Sequence, residues 1–185
     1  GQAVLQLAQH THRHDASQSL VPAAVRRQAL ERLGDLAYAH GEHAQATQHY
    51  KEALALASAE HAGAAQICGL LQRMALNFER AGQVDKALEC WRAAADHIQK
   101  LGEVTEDCEA VSDVLTRYAA FAIHHQPAQV KPLIEQSLRI QHKAYRGFSM
   151  AAARAYEVFA SFMLEMKQPA ARAHHLRQAL LLVQV

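Results

Sequence analysis

Three kinds of side chain in this sequence have reactive chemistry: histidines, cysteines and a run of carboxylates. His10, His12 and His14 stand in an HTHRH run. On a helix, His10 and His14 lie one turn apart, a spacing at which two histidines can share a zinc ion. Structural zinc takes four defined ligands, and no third ligand stands near the pair, so a polar helix end accounts for the run. His124-His125 and His174-His175 are adjacent pairs. Neighbours on a helix point about 100° apart, so neither pair converges on one ion. Both are expected in solvent, His124-His125 at a helix C-terminus, where positive charge is favourable.

Cys68, Cys90 and Cys108 are too few and too scattered for a disulfide framework. Reduced thiols are expected, which fits a cytoplasmic protein. Cys90 precedes Trp91 in a helical stretch, where cysteine packs as a small hydrophobe. Cys108 stands among Glu106, Asp107 and Glu109, and carboxylates raise a thiol pKa and blunt its nucleophilicity. Glu103, Glu106, Asp107, Glu109 and Asp113 form an acidic cluster at a helix start. Acidic groups there complement the helix dipole, which explains position as well as sign. No phosphate-binding loop, dinucleotide glycine motif or Gly-x-Ser-x-Gly elbow is present. The expectation is a non-enzyme with no catalytic residues, no metal and no cofactor.

Composition narrows the class further. The chain has 185 residues, 50% hydrophobic and 20% charged, which describes a globular protein. A net charge of +1 gives no footprint for nucleic acid. No apolar run reaches membrane-spanning length, and no signal peptide opens the sequence. Neither nucleic acid nor membrane is expected as a partner.

The elements that must position these side chains are helices in a repeating order. Leu30, Leu33 and Gly34 share one helical face, a break follows at Gly41-Glu42, and Ala46, Tyr50 and Ala53 share the face of a second helix. The pattern returns 41 residues on, with Leu71, Met74, Ala75 and Phe78 before Gly82, then Ala87, Trp91 and Ala94. Trp91 falls where Tyr50 fell. A third copy has Val114, Tyr118 and Phe121, a turn at His125-Gln126-Pro127, then Val130, Ile134 and Ser137, offset by 43. A fourth has Tyr156, Phe159, Ala160 and Met163, a turn through Pro169, then Leu176 and Ala179. Pro127 and Pro169 are 42 apart, though Arg172 takes the small-residue slot.

This order of large, Gly, aromatic and Ala positions resembles the tetratricopeptide repeat. The period of about 42 exceeds the usual 34 and is similar to the long repeats of kinesin light chain and of some bacterial regulators. The surplus falls at 60–67, 102–110 and 143–152, read as longer first helices. The resemblance implies an all-α, right-handed solenoid of stacked antiparallel helical hairpins. One domain is expected over 1–185, a piece of a longer array, with a half repeat at 1–20 and full repeats at 22–60, 61–101, 103–143 and 146–185. The alternative is a closed bundle of nine helices. Two glycine turns and two proline turns in register argue against it.

In such a stack the first helix of each pair lines a concave groove. That register puts Gln28, Glu31, Asp35 and Tyr38 in the groove, then Gln72, Leu76 and Glu79. Ser112, Leu115, Ala119 and Ala122 follow, then Arg154, Glu157, Ser161 and Leu164. Apolar groups ringed by polar ones mark a binding surface. The acids predict a partner segment with basic residues beside apolar anchors. Glu31 and Asp35 stand where chaperone-binding members of the family resemble a carboxylate clamp of Lys and Asn, so chaperone tails are disfavoured. The reading is a non-catalytic adaptor that binds a peptide segment or partner helix. The alternative is a regulatory sensor for a peptide or small effector, and self-association through exposed end helices is also open.

Overall fold

The computed structural model describes residues 22–100, 108–145 and 149–166, together with 174 and 176–181. Among these residues there is no strand. Seven helices follow in order: α1 (Ala23–Ala39), α2 (His43–Ala59), α3 (Ala64–Arg80), α4 (Val84–Lys100), α5 (Cys108–His125), α6 (Pro127–Tyr145) and α7 (Met150–Glu165). Residues 176–181 are also helical. The protein is all-α. The His10–His14 run, Glu103, Glu106 and Asp107, Pro169, Arg172 and His175 lie outside the described residues.

The turns follow from local chemistry. Gly41 and Gly82 have φ of 79° and 70°, the left-handed region that suits glycine. At the first, Glu42 N–H donates to Ala37 O and Gly41 N–H to Tyr38 O. At the second, Gln83 N–H donates to Phe78 O and Gly82 N–H to Glu79 O. Both are Schellman caps, which satisfy the last carbonyls of a helix while reversing the chain. Pro127 opens α6, where its missing N–H is not needed. The first helices are no longer than the second: α1 to α4 each have 17 residues, α5 has 18 and α6 has 19. The surplus over the usual period is therefore shared by both helices of a pair, which corrects the expectation of longer first helices.

By contact density the chain forms two compact units, one up to His61 and one from Ala62 onward. The first holds the α1–α2 hairpin. Gly34 lies against Tyr50 so closely that a Cβ at position 34 would overlap the aromatic ring. Ala46, Tyr50, Ala53 and Ala57 give α2 a fully buried face.

The second unit holds the α3–α4 and α5–α6 hairpins and α7. Helix α5 packs against α3 and α4 as well as α6 and α7. It is accordingly buried over a wide arc, including Val111, Val114, Leu115 and Tyr118. The first helices α3, α5 and α7 meet side by side, whereas α4 and α6 do not meet. Trp91 on α4 and Tyr118 on α5 stack with centroids 6.0 Å apart and rings within 3° of parallel.

Candidate functional site

The first helices carry the residues expected to form a binding face, and the structure treats each helix differently. Residues of α1 are tied into their own hairpin. Arg27, 6% exposed, ion-pairs with Glu31 at 2.6 Å and reaches Glu60 at 3.4 Å. Asp35 Oδ1 accepts the Tyr50 hydroxyl at 2.9 Å, which fixes the ring over Gly34. Tyr38 is half-buried and Gln28 exposed.

On α3, Gln72, Leu76 and Glu79 are half-buried. Glu79 Oε1 accepts the Trp91 indole N–H at 2.6 Å. Burial raises the Glu79 carboxyl above the usual carboxylate range, opposed by that hydrogen bond and by the charge of His125. The acids expected in the groove are thus engaged: Glu31, Asp35 and Glu79 each answer a partner within their own hairpin, and for Glu31 alone of the three that partner is a cation.

On α5 the expected register does not hold. Leu115, Ala119, Ala122 and Ser112 are all 0% exposed. They are core, because four helices crowd α5, and they offer nothing to a partner. The stripe that reaches solvent is Glu109, Asp113, Arg117, Ala120 and His124. Arg117 Nε meets Asp113 Oδ2 at 2.7 Å, an i,i+4 pair. That pair was the available signal, since charged side chains on an otherwise apolar helix mark its wet edge.

On α7, Arg154, Glu157, Ser161 and Leu164 are exposed. Arg154 Nη2 lies 3.2 Å from Asp113 Oδ1 and 3.9 Å from Glu109 Oε1. His124 Nδ1 lies 3.5 Å from Glu165. These contacts cross from α5 to α7 on the open side, so within the second unit the two helices present one continuous surface. Leu164, 51% exposed, stands on it as an apolar group in water.

A likeness to solved structures defines the fold. The chain is similar to BtubC (BKLC) from P. vanneervenii, with a TM-score of 0.72 and 13% identity, over 91% of this chain and 67% of that one. The fold is a tetratricopeptide-like helical repeat. No protein-family profile matches the chain, and no curated protein matches it. At 13% identity the likeness speaks for the fold alone.

The reactive side chains of this helical repeat are placed as follows. Cys68, Cys90 and Cys108 are free and buried. Burial pushes the Cys68 thiol up to about 11, so it is protonated at neutral pH. His125 packs its ring on Phe121, centroids 4.4 Å apart, at the end of α5. Among the described residues no group of three or more His, Cys, Asp or Glu is placed to hold a metal ion. Among them, too, no helix is long and apolar enough to cross a membrane.

Proposed function

We propose that this helical repeat is a non-catalytic protein-interaction module that takes a peptide segment or partner helix on the open face of its first helices. The observation that carries this reading is the surface shared by α5 and α7. Arg154 bridges to Asp113 and Glu109, and Leu164 lies half in water beside Glu157 and Ser161. An apolar group bordered by polar ones on a rigid surface is a frequent mark of a binding patch. On α3, Leu76 has the same character. With Glu31, Asp35 and Glu79 engaged within their hairpins, apolar anchors rather than net charge select the partner.

The test is a double substitution, Leu76→Glu with Leu164→Glu, in affinity capture from a native lysate read by mass spectrometry. Helicity and melting temperature should stay close to wild type, while partners captured by the wild-type chain are lost. A folded double variant that captures the same partners would refute this face as the binding surface.

A further inference from the structure

The opposite side of the second unit holds a cleft of about 900 Å³ between α4 and α6. It exists because the first helices pack directly while α4 and α6 stand apart. One wall is a helical stripe of Arg92, Ala95, Asp96 and Gln99; the other runs along α6 through Gln129, Pro132, Gln136 and Arg139. Tyr118 of α5, 3% exposed, is the floor. Its hydroxyl donates to Gln126 Oε1 at 3.3 Å, just before α6 begins.

The chemistry of the lining chooses the ligand. A pocket for an apolar small molecule has mostly hydrophobic and aromatic walls, whereas glutamine and arginine supply six of the thirteen residues that line this cleft. A glutamine amide both donates and accepts, the complement of a peptide group. Pro132 has no N–H to give the Ala128 carbonyl, so that acceptor lacks its helical donor, and Ala128 also lines the cleft. A peptide N–H can fill it. The lining carries two arginines against one acid, Asp96. Arg92 also hydrogen-bonds Tyr118, which places it at the Gln126 end of the cleft. Arg139 stands about 18 Å farther along α6 at 1.5 Å per residue. Extended chain rises about 3.3 Å per residue, so that span is roughly five residues.

We propose that this cleft binds an extended acidic peptide segment of a partner protein. Its backbone pairs with the glutamine amides and the Ala128 carbonyl. Two carboxylates about five residues apart meet the guanidinium forks of Arg92 and Arg139. The site is separate from the first-helix face, and each can fail without the other.

The probe is a displayed library of random octapeptides selected on the intact 185-residue chain, with hits resynthesised and measured by fluorescence anisotropy. Hits should carry Asp or Glu four to six positions apart and bind more weakly as salt rises. Arg139→Glu, an exposed position, should lower affinity at least tenfold with unchanged circular dichroism, and the milder Arg92→Gln should lower it less. Leu76→Glu should leave it unchanged. Selection of no peptide, hits without spaced acids, or hits indifferent to Arg139→Glu would overturn the proposal. Equal displacement by an unrelated single-stranded RNA would overturn it too, since the cleft would then be a general polyanion site.

Discussion

The α3–α4 and α5–α6 hairpins hold the same geometry with different chemistry. In α3–α4 an aromatic wedge does it: Trp91, 1% exposed, fills the space between helices and anchors its indole N–H on Glu79. The α1–α2 hairpin uses the same device, with Tyr50 on Asp35. In α5–α6 the corresponding position is Ile134, which has no polar handle. There a relay of five side chains, four of them buried, takes over. Ser149, the N-cap of α7, donates to Gln141 at 2.7 Å and accepts from Ala152 N–H at 3.0 Å. Gln141 in turn donates to Ser112. Ser137 donates to the Ser112 carbonyl at 3.0 Å and lies 2.9 Å from the Thr116 hydroxyl. The wedge ties α4 to α3 through Glu79 and to α5 through the Tyr118 stack. The relay joins α5, α6 and the start of α7, and it is directional where the wedge is mainly a matter of area.

The largest effect should come from breaking the wedge. Trp91→Ala removes a fully buried indole, its stack on Tyr118 and the partner of Glu79, so about 3–5 kcal/mol should be lost in urea denaturation. A loss under about 1 kcal/mol would mean that the wedge is not what holds the α3–α4 hairpin. Because stacked repeats share their interfaces, the α5–α6 hairpin should lose protection from hydrogen exchange as well.

A smaller effect should come from breaking the relay. Gln141→Ala removes two hydrogen bonds, to the hydroxyls of Ser112 and Ser149, at about 0.5–1.5 kcal/mol each. Relay members touch one another, so Gln141→Ala and Ser137→Ala should combine non-additively. Additive losses in the double variant, measured by the same denaturation, would show five separate bonds instead of one network.

How far the sequence discloses this structure depends on the kind of residue. Gly34, Gly41 and Gly82 are legible because only glycine suits a ring at van der Waals contact or a left-handed turn. Trp91 and Tyr50 are legible because one large aromatic recurs at a fixed offset. The relay is not, because Ser112, Thr116 and Ser137 read as ordinary small polar residues until helix neighbours are known. The face of α5 is misread for a related reason. Nearly every residue from Val111 to Ala122 is small or apolar, so periodicity alone does not tell a half-buried helix from one packed on several sides. Asp35 and Glu79 stand on first helices, yet their acceptors serve the aromatic ring across the hairpin. Pro132 lacks the N–H that a helix interior uses, and α6 nonetheless continues through it from Pro127 to Tyr145.

The smallest effect sharpens the wedge itself by separating its area from its charge. Burial is the largest influence on the Glu79 carboxyl and raises its pKa above the ordinary value of about 4.3; the Trp91 hydrogen bond and the charge of His125 act the other way. A carboxyl with a raised folded pKa binds more protons in the folded state than in the unfolded state. Stability then falls as pH rises from the unfolded pKa through the folded one. Below both values the group is neutral in either state and contributes no penalty. Glu79→Gln keeps an acceptor for the Trp91 N–H and removes the titration. The variant should therefore gain in melting temperature relative to wild type as pH rises above about 4.3. The gain should level off above the folded pKa and vanish at lower pH. A melting-temperature difference that is flat from pH 3 to 8 would show that Glu79 serves the indole as an acceptor alone. A difference of opposite sign at neutral pH would show that its charge strengthens the wedge more than burial weakens it.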